Sequence, residues 1–210
     1  MSTRILIADD HQMFREALVA VLPRDEFEVV AQASNGRDAI RLAGRYQPDV
    51  ALIDITMPGL NGVDTTREVL RASPETRVLV LTMHDDRAYL VEALSAGARG
   101  FVVKSQGTPE LIEALRAVAN GKAHVPPWLL DSLVETVRSP ETVAKDPLTP
   151  REHEVLQLVA EGKCTKEIAA SLCISYKTAE SHRGHIMAKL DIHETAGLVR
   201  YAIRKRMIEA

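Results

Sequence analysis

Five short and almost purely apolar runs punctuate the first 120 residues: ILIA at 5–8, VVA at 29–31, VALI at 50–53, VLVL at 78–81 and FVV at 101–103. They recur about every 20–25 residues. Each is too short for a helix and lacks the polar–apolar alternation of a half-exposed strand. A continuous apolar run of this length fits a strand buried on both faces. Amphipathic stretches separate the runs. In the first of them Phe14, Ala17, Leu18, Val21 and Leu22 share the i, i+3, i+4, i+7, i+8 stripe of a helix. Strands alternating with helices predict a parallel sheet covered on both sides. Right-handed crossovers then lead to an α/β doubly wound, five-stranded fold.

Ligands of such sheets bind beyond the carboxyl ends of the strands, where strand order reverses. The residues delivered there are unusual. The first run ends in Asp9 and Asp10, the third in Asp54, the fourth in Thr82 and the fifth in Lys104. Three carboxylates in one pocket repel by about 4 kcal/mol per close pair near a protein surface. A hard divalent cation such as Mg²⁺ would neutralise them. Lys104 adds a compact positive charge suited to a carboxylate or a phosphate. Thr82 adds a hydroxyl donor. Cation, ammonium, donor and carboxylate nucleophile together suit phosphoryl transfer through an aspartyl-phosphate. A hydrolase with an aspartate nucleophile would want a second acid two residues on, but position 56 is threonine.

DD at 9–10, DITMPG at 54–59, LT at 81–82 and FVVKS at 101–105 resemble the motifs of a two-component receiver domain over about residues 1–120. That resemblance implies strand order 2-1-3-4-5 and Asp54 as phosphoacceptor. It implies Mg²⁺ held by Asp9, Asp10, Asp54 and the backbone carbonyl of Thr56. Lys104 would contact the phosphoryl group, Thr82 would move toward it, and Phe101, where tyrosine is more usual, would change rotamer. Thr56 and His84 would flank the phosphate.

Residues 122–146 change character. Pro126 and Pro127 break the pattern, 128–137 reads as a short helix, and 138–147 reads as a polar linker. From Thr149 the chain is helical. Thr149-Pro150-Arg151-Glu152 is a capping box with proline at the first helical position. A short helix from Thr165, a tight turn at Cys173-Ile174 and a longer helix capped by Ser175 suggest helix-turn-helix. On that longer helix Lys177, Glu180, Ser181, Gly184 and His185 point away from the apolar stripe of Ala179, Ile186, Met187 and Leu190. Such a face fits the DNA major groove.

The stretch LTPREHEVLQLVAEGKCTKEIAASLCISYKTAESHRGHIMAKLDI resembles the LuxR-type helix-turn-helix domain. With the receiver motifs, the whole chain is similar to NarL/FixJ-type response regulators. Ala179 stands where valine is usual, and Thr195 near a position often held by arginine, which would remove a polar tie to the last helix. Lys177, Thr178, Arg183 and His185 are expected at phosphates, and Glu180 and Ser181 at base edges. Arg183 lies near the buried stripe, so packing with a solvated head is its other reading.

The expected domains are a receiver at 1–121, a linker at 122–146 and a DNA-binding domain at 147–210. Residues 147–210 carry ten basic and eight acidic side chains, a net +2, whereas 1–146 carry sixteen and twenty-one, a net −5. That asymmetry permits a nucleic-acid partner for the C-terminal part. The resemblance implies a sensor histidine kinase, double-stranded promoter DNA and a homodimer on phosphorylation, with RNA polymerase a candidate further partner. No apolar run approaches the roughly 20 residues of a membrane span, so no membrane partner is expected and cytoplasmic residence is. Cys164 and Cys173 read as reduced thiols. No dedicated enzyme is expected, only Mg-dependent self-phosphorylation from a donor and slow self-dephosphorylation. The alternative is a phosphorylation-controlled adaptor whose helical domain binds protein rather than DNA.

Overall fold

The computed structural model describes residues 2–83, 87–125, 147–205 and 207–208. The chain folds into two compact units, one built on a sheet and one wholly helical. In the first, β1 (Thr3–Ala8), β2 (Phe27–Ala33), β3 (Val50–Asp54), β4 (Arg77–Thr82) and β5 (Gly100–Val103) alternate with α1 (Gln12–Val21), α2 (Gly36–Tyr46), α3 (Gly62–Ala72), α4 (Arg87–Ser95) and α5 (Thr108–Ala119). All strand pairings are parallel, in the order β2-β1-β3-β4-β5. Order reverses between β1 and β3, which places a crevice at the carboxyl ends of those two strands.

The uninterrupted apolar runs are explained by the two faces. Leu6, Ala8, Ala51, Ile53, Val78, Val80 and Phe101 pack with Ala39, Ala43, Val69, Leu90 and Ala93 from α2, α3 and α4. Their chain neighbours Ile5, Ile7, Val50, Leu52, Leu79, Leu81 and Val102 pack with Leu18, Leu22, Leu111, Leu115 and Val118 from α1 and α5. Each strand thus feeds two cores in turn, and neither parity is left for polar residues. The edge strand β2 is the exception, with Glu28 exposed and its middle only half-buried.

Residues 122–125, read from the sequence as the start of the linker, lie along β5. His124 bridges Gly100 in parallel, the Phe101 amide donates to its carbonyl, and its own amide donates to Arg99. A Cβ at Gly100 would stand 2.4 Å from the His124 carbonyl oxygen, so glycine is what lets the segment approach. The short helix expected at 128–137 and the rest of the linker lie outside the described residues, as do His84 and Arg206.

The helical unit comprises α6 (Pro150–Ala160), α7 (Thr165–Ser171), α8 (Tyr176–Leu190) and α9 (Thr195–Arg204) among the described residues. The capping box forms as read: Thr149 accepts from the Glu152 amide, and the Glu152 carboxylate accepts from the Thr149 amide. Lys189 donates to the same carboxylate at 2.7 Å. The turn between α7 and α8 passes through Cys173 at φ 53°, and Ser175 caps α8 by accepting from the Thr178 amide. Val155, Leu156, Ile168, Ala179, Ile186, Leu198 and Ala202 form a core to which every helix contributes. Ala169 is buried in the same core, and its small side chain suits the packing of α7 on α8.

Candidate functional site

The carboxyl ends of β1, β3 and β5 bring Asp9, Asp54 and Lys104 together. The Lys104 ammonium donates to Asp54 Oδ2 at 2.9 Å and stands 2.7 Å from Asp9 Oδ2. Asp9 and Asp54 are almost fully buried, whereas Asp10 opens toward solvent. Thr82 closes β4 as a buried hydroxyl at the same end of the sheet. Thr56 lies half-buried two residues beyond Asp54. Phe101 is not at the surface of the pocket. It is 2% exposed, in the core shared with α4.

Local geometry holds the Asp54 backbone in place. The Gly62 amide at the start of α3 donates to the Ile55 carbonyl at 2.7 Å. A Cβ on Gly62 would stand 2.2 Å from the Asp54 carbonyl oxygen. Only glycine therefore lets α3 begin directly against the backbone that carries Asp54.

Electrostatics sets the protonation of the pocket. Burial raises the Asp54 carboxyl from 3.8 to about 6; Lys104 pulls it down, and Asp9 and then Asp10 push it up. Lys104 moves the other way. Burial alone would lower its pKa, but Asp54 and Asp9 together outweigh this and hold it above the usual lysine value. One ammonium thus serves two buried carboxylates. Asp9 Oδ2 accepts no well-directed hydrogen bond despite its closeness to Lys104. One ammonium between two buried carboxylates leaves negative charge over, which suits a further cation. The donors of Asp9, Asp10 and Asp54 lie within 4.8 Å of one another, and carboxylate oxygens are what Mg²⁺ takes. The residues present therefore fit that ion.

Three neighbours of the pocket were not singled out from the sequence. His11 places Nδ1 2.8 Å from Asp10 Oδ1. Arg15 donates to the Asp9 carbonyl. The Phe14 ring centroid lies 4.7 Å from the Lys104 ammonium, a cation–π contact. The DDH triplet was a visible signal for His11. Phe14 was legible only as a position on the buried stripe of a helix.

On α8, Lys177, Thr178, Glu180, Ser181, Gly184 and His185 are all exposed, along one polar surface opposite buried Ala179 and Ile186. The Thr178 hydroxyl also pairs with Ser175 Oγ at 2.7 Å, within the helix cap. Arg183 is only partly exposed and donates to Thr165 Oγ1 at 2.8 Å and Thr195 Oγ1 at 3.1 Å. Its guanidinium ties α7, α8 and α9 together. Thr195 therefore supplies the polar tie that its replacement of arginine was expected to remove. Tyr176, at the first position of α8, is 55% exposed and was not anticipated as part of this face.

Comparison with known proteins follows the same division. Residues 5–116 match the response regulator receiver domain, and residues 146–202 match the bacterial regulatory proteins of the luxR family. The chain is 39% identical to the oxygen regulatory protein NreC of Staphylococcus carnosus, over 98% of this chain and 99% of that one. It is 36% identical to the transcriptional regulatory protein DegU of Brevibacillus brevis, over 98% and 95%. Among solved structures it resembles RcsB from Salmonella enterica serovar Typhimurium bound to promoter P1flhDC in the presence of the phosphomimetic BeF3⁻. That likeness has a TM-score of 0.60 and 28% identity, covering 96% of this chain and 98% of that one.

Proposed function

The chain is a transcriptional response regulator of the receiver-plus-LuxR-type family, and from that premise we infer that it is switched by phosphorylation of Asp54 and then binds promoter DNA as a dimer. The observation that carries the reading is the Lys104 ammonium bridging the buried carboxylates of Asp9 and Asp54 where strand order reverses. The donor is a phosphohistidine of a partner sensor kinase, or a small acyl phosphate. Asp54 attacks phosphorus, the bond to the donor breaks, and the acyl phosphate forms on its carboxylate.

Each residue has a task in that step. Burial strips water from the Asp54 carboxylate, which is mostly ionised at neutral pH with its pKa near 6. Asp9, Asp10 and Asp54, with the Thr56 carbonyl, would hold Mg²⁺, which supplies charge against the carboxylates and the phosphoryl oxygens. Lys104 is already aimed at the Asp54 oxygen and stays as counter-charge to the new dianion. The Thr82 hydroxyl turns to a phosphoryl oxygen, and Phe101 responds within the core behind it. Phosphorylation of this kind is a switching event of the regulator rather than turnover of an external substrate.

On the helical unit, Lys177, Thr178 and His185 contact phosphates, Glu180 and Ser181 meet base edges, and Gly184 lets the backbone approach. Arg183 acts first as the brace of this face, its head held by two threonines. Two such units in a dimer would meet half-sites about one helical turn apart. Among the described residues no helix is long and apolar enough to cross a membrane, and we place the protein with its DNA in the cytoplasm. The test combines intact mass and DNA binding. Acyl phosphate with Mg²⁺ should add one phosphoryl group to the wild type and none to Asp54→Ala. DNA affinity of the wild type should fall steeply with salt, as phosphate contacts require. A shallow salt response would favour the protein-binding adaptor instead.

A further inference from the structure

The phosphoacceptor reading leaves His11 without a task, although it follows directly on two of the pocket acids. Its Nδ1 stands 2.8 Å from Asp10 Oδ1 and 3.4 Å from Asp9 Oδ1. One donor atom each from Asp9, Asp10, His11 and Asp54 lies within 4.8 Å of all the others. Donors on one ion with bonds of about 2.1 Å stand about 3 Å apart when adjacent and about 4.2 Å when opposite. The four side chains are thus already near the spacing of one coordination shell. The backbone keeps them there: the His11 amide donates to Asp9 Oδ1 at 2.8 Å, and His11 is the extended N-cap residue of α1. Its side chain is 69% exposed, so the ring can turn without repacking the core. A second observation points to the same place. Asp9 Oδ2 is fully buried, and its neighbour, the Lys104 ammonium at 2.7 Å, is shared with buried Asp54, so among the described residues the pair of carboxylates lacks a second counter-charge.

Imidazole is a poor ligand for Mg²⁺, which prefers oxygen and keeps its waters, but a good one for divalent transition ions. We propose that His11 is a fourth side-chain donor of the pocket, and that it biases the site toward a divalent cation of the manganese class over magnesium. The proposal rests on the reading of the pocket as a cation site. It assigns to the neutral ring the position its Nδ1 now occupies beside Asp10, with that close approach exchanged for a shared metal.

The test uses the full chain stripped of metal, at one fixed pH, with MnCl₂ and MgCl₂ as probes. Mn²⁺ binding is followed by the electron spin resonance of the free ion, with Mg²⁺ in competition. Pulsed resonance on the bound ion reads directly coordinated nitrogen. Wild type is expected to show imidazole nitrogen on the Mn²⁺ that Asp54→Ala fails to bind. His11→Gln is expected to lose that nitrogen signal and to weaken Mn²⁺ by ~10-fold or more, with Mg²⁺ binding nearly unchanged. Mn²⁺ bound in an Asp54-dependent way without coordinated nitrogen overturns the role of His11 but leaves the cation site standing. Equal weakening of both ions in His11→Gln overturns it as well. If neither ion binds in an Asp54-dependent way, the pocket is not a cation site and both readings fall.

Discussion

Replacing Asp54 by asparagine should stabilise the metal-free receiver unit at neutral pH and not at acid pH. The native carboxyl sits near 6, against 3.8 for the same group in water. A carboxyl raised in this way binds a proton more tightly in the folded than in the unfolded chain. Well below pH 3.8 both states are protonated and the residue carries no penalty. As pH rises toward 6 the unfolded chain ionises first, and stability drains away until the native group has ionised too. The difference of about 2.2 at about 1.36 kcal/mol per pH unit gives a full loss of about 3 kcal/mol once both states have ionised. Asparagine is neutral throughout and escapes that loss, although Lys104 then keeps only Asp9 as a charged partner at full strength. The advantage of Asp54→Asn over wild type should therefore be about 2.5 kcal/mol larger at pH 8 than at pH 4, where the unfolded carboxyl has already begun to ionise. Hydrogen exchange of the β3 amides in the full chain reads this unit separately from the helical one. An advantage independent of pH would refute the claim that burial, and not a lasting hydrogen-bond pattern, governs Asp54.

Other substitutions probe the remaining supports. Gly62→Ala should destabilise the receiver unit by roughly 1–3 kcal/mol or more and slow phosphorylation, because its Cβ meets the Asp54 carbonyl; denaturant unfolding and acyl-phosphate labelling check both. Arg183→Met should lower the stability of the helical unit by roughly 1 kcal/mol for its two hydroxyl ties, with thermal unfolding as the readout and the salt slope of DNA binding nearly unchanged. Lys177→Ala, on the exposed face of α8, should leave stability intact and reduce that slope by about 1.

Much of this fold and pocket is legible in the sequence. VALI and VLVL have no polar parity because both faces of β3 and β4 are covered, so their burial could be seen directly in composition. Once a parallel sheet is assumed, topology alone forces Asp9, Asp54, Thr82 and Lys104 to one end, and no side-chain detail is needed. What stayed hidden depends on rotamers and on long-range partners. Phe14 looked like any apolar stripe residue, yet its ring faces an ammonium 90 residues further along the chain. Arg183 looked like a phosphate contact because nothing local shows that Thr165 and Thr195 converge on it. The pairing of His124 with Gly100 was missed because a polar segment after a helix reads as linker. What makes it strand-like is the bare glycine backbone of β5, not its own residues.

The central claim is that phosphate on Asp54 governs DNA binding by the same chain. The most direct measurement is promoter-DNA affinity of the full chain, with and without acyl phosphate and Mg²⁺, in wild type and Asp54→Ala, with phosphoryl occupancy read by intact mass in the same samples. The account predicts that affinity rises in step with occupancy in wild type and does not change in the variant. Full occupancy of Asp54 with unchanged affinity, or an equal rise in Asp54→Ala, would contradict it.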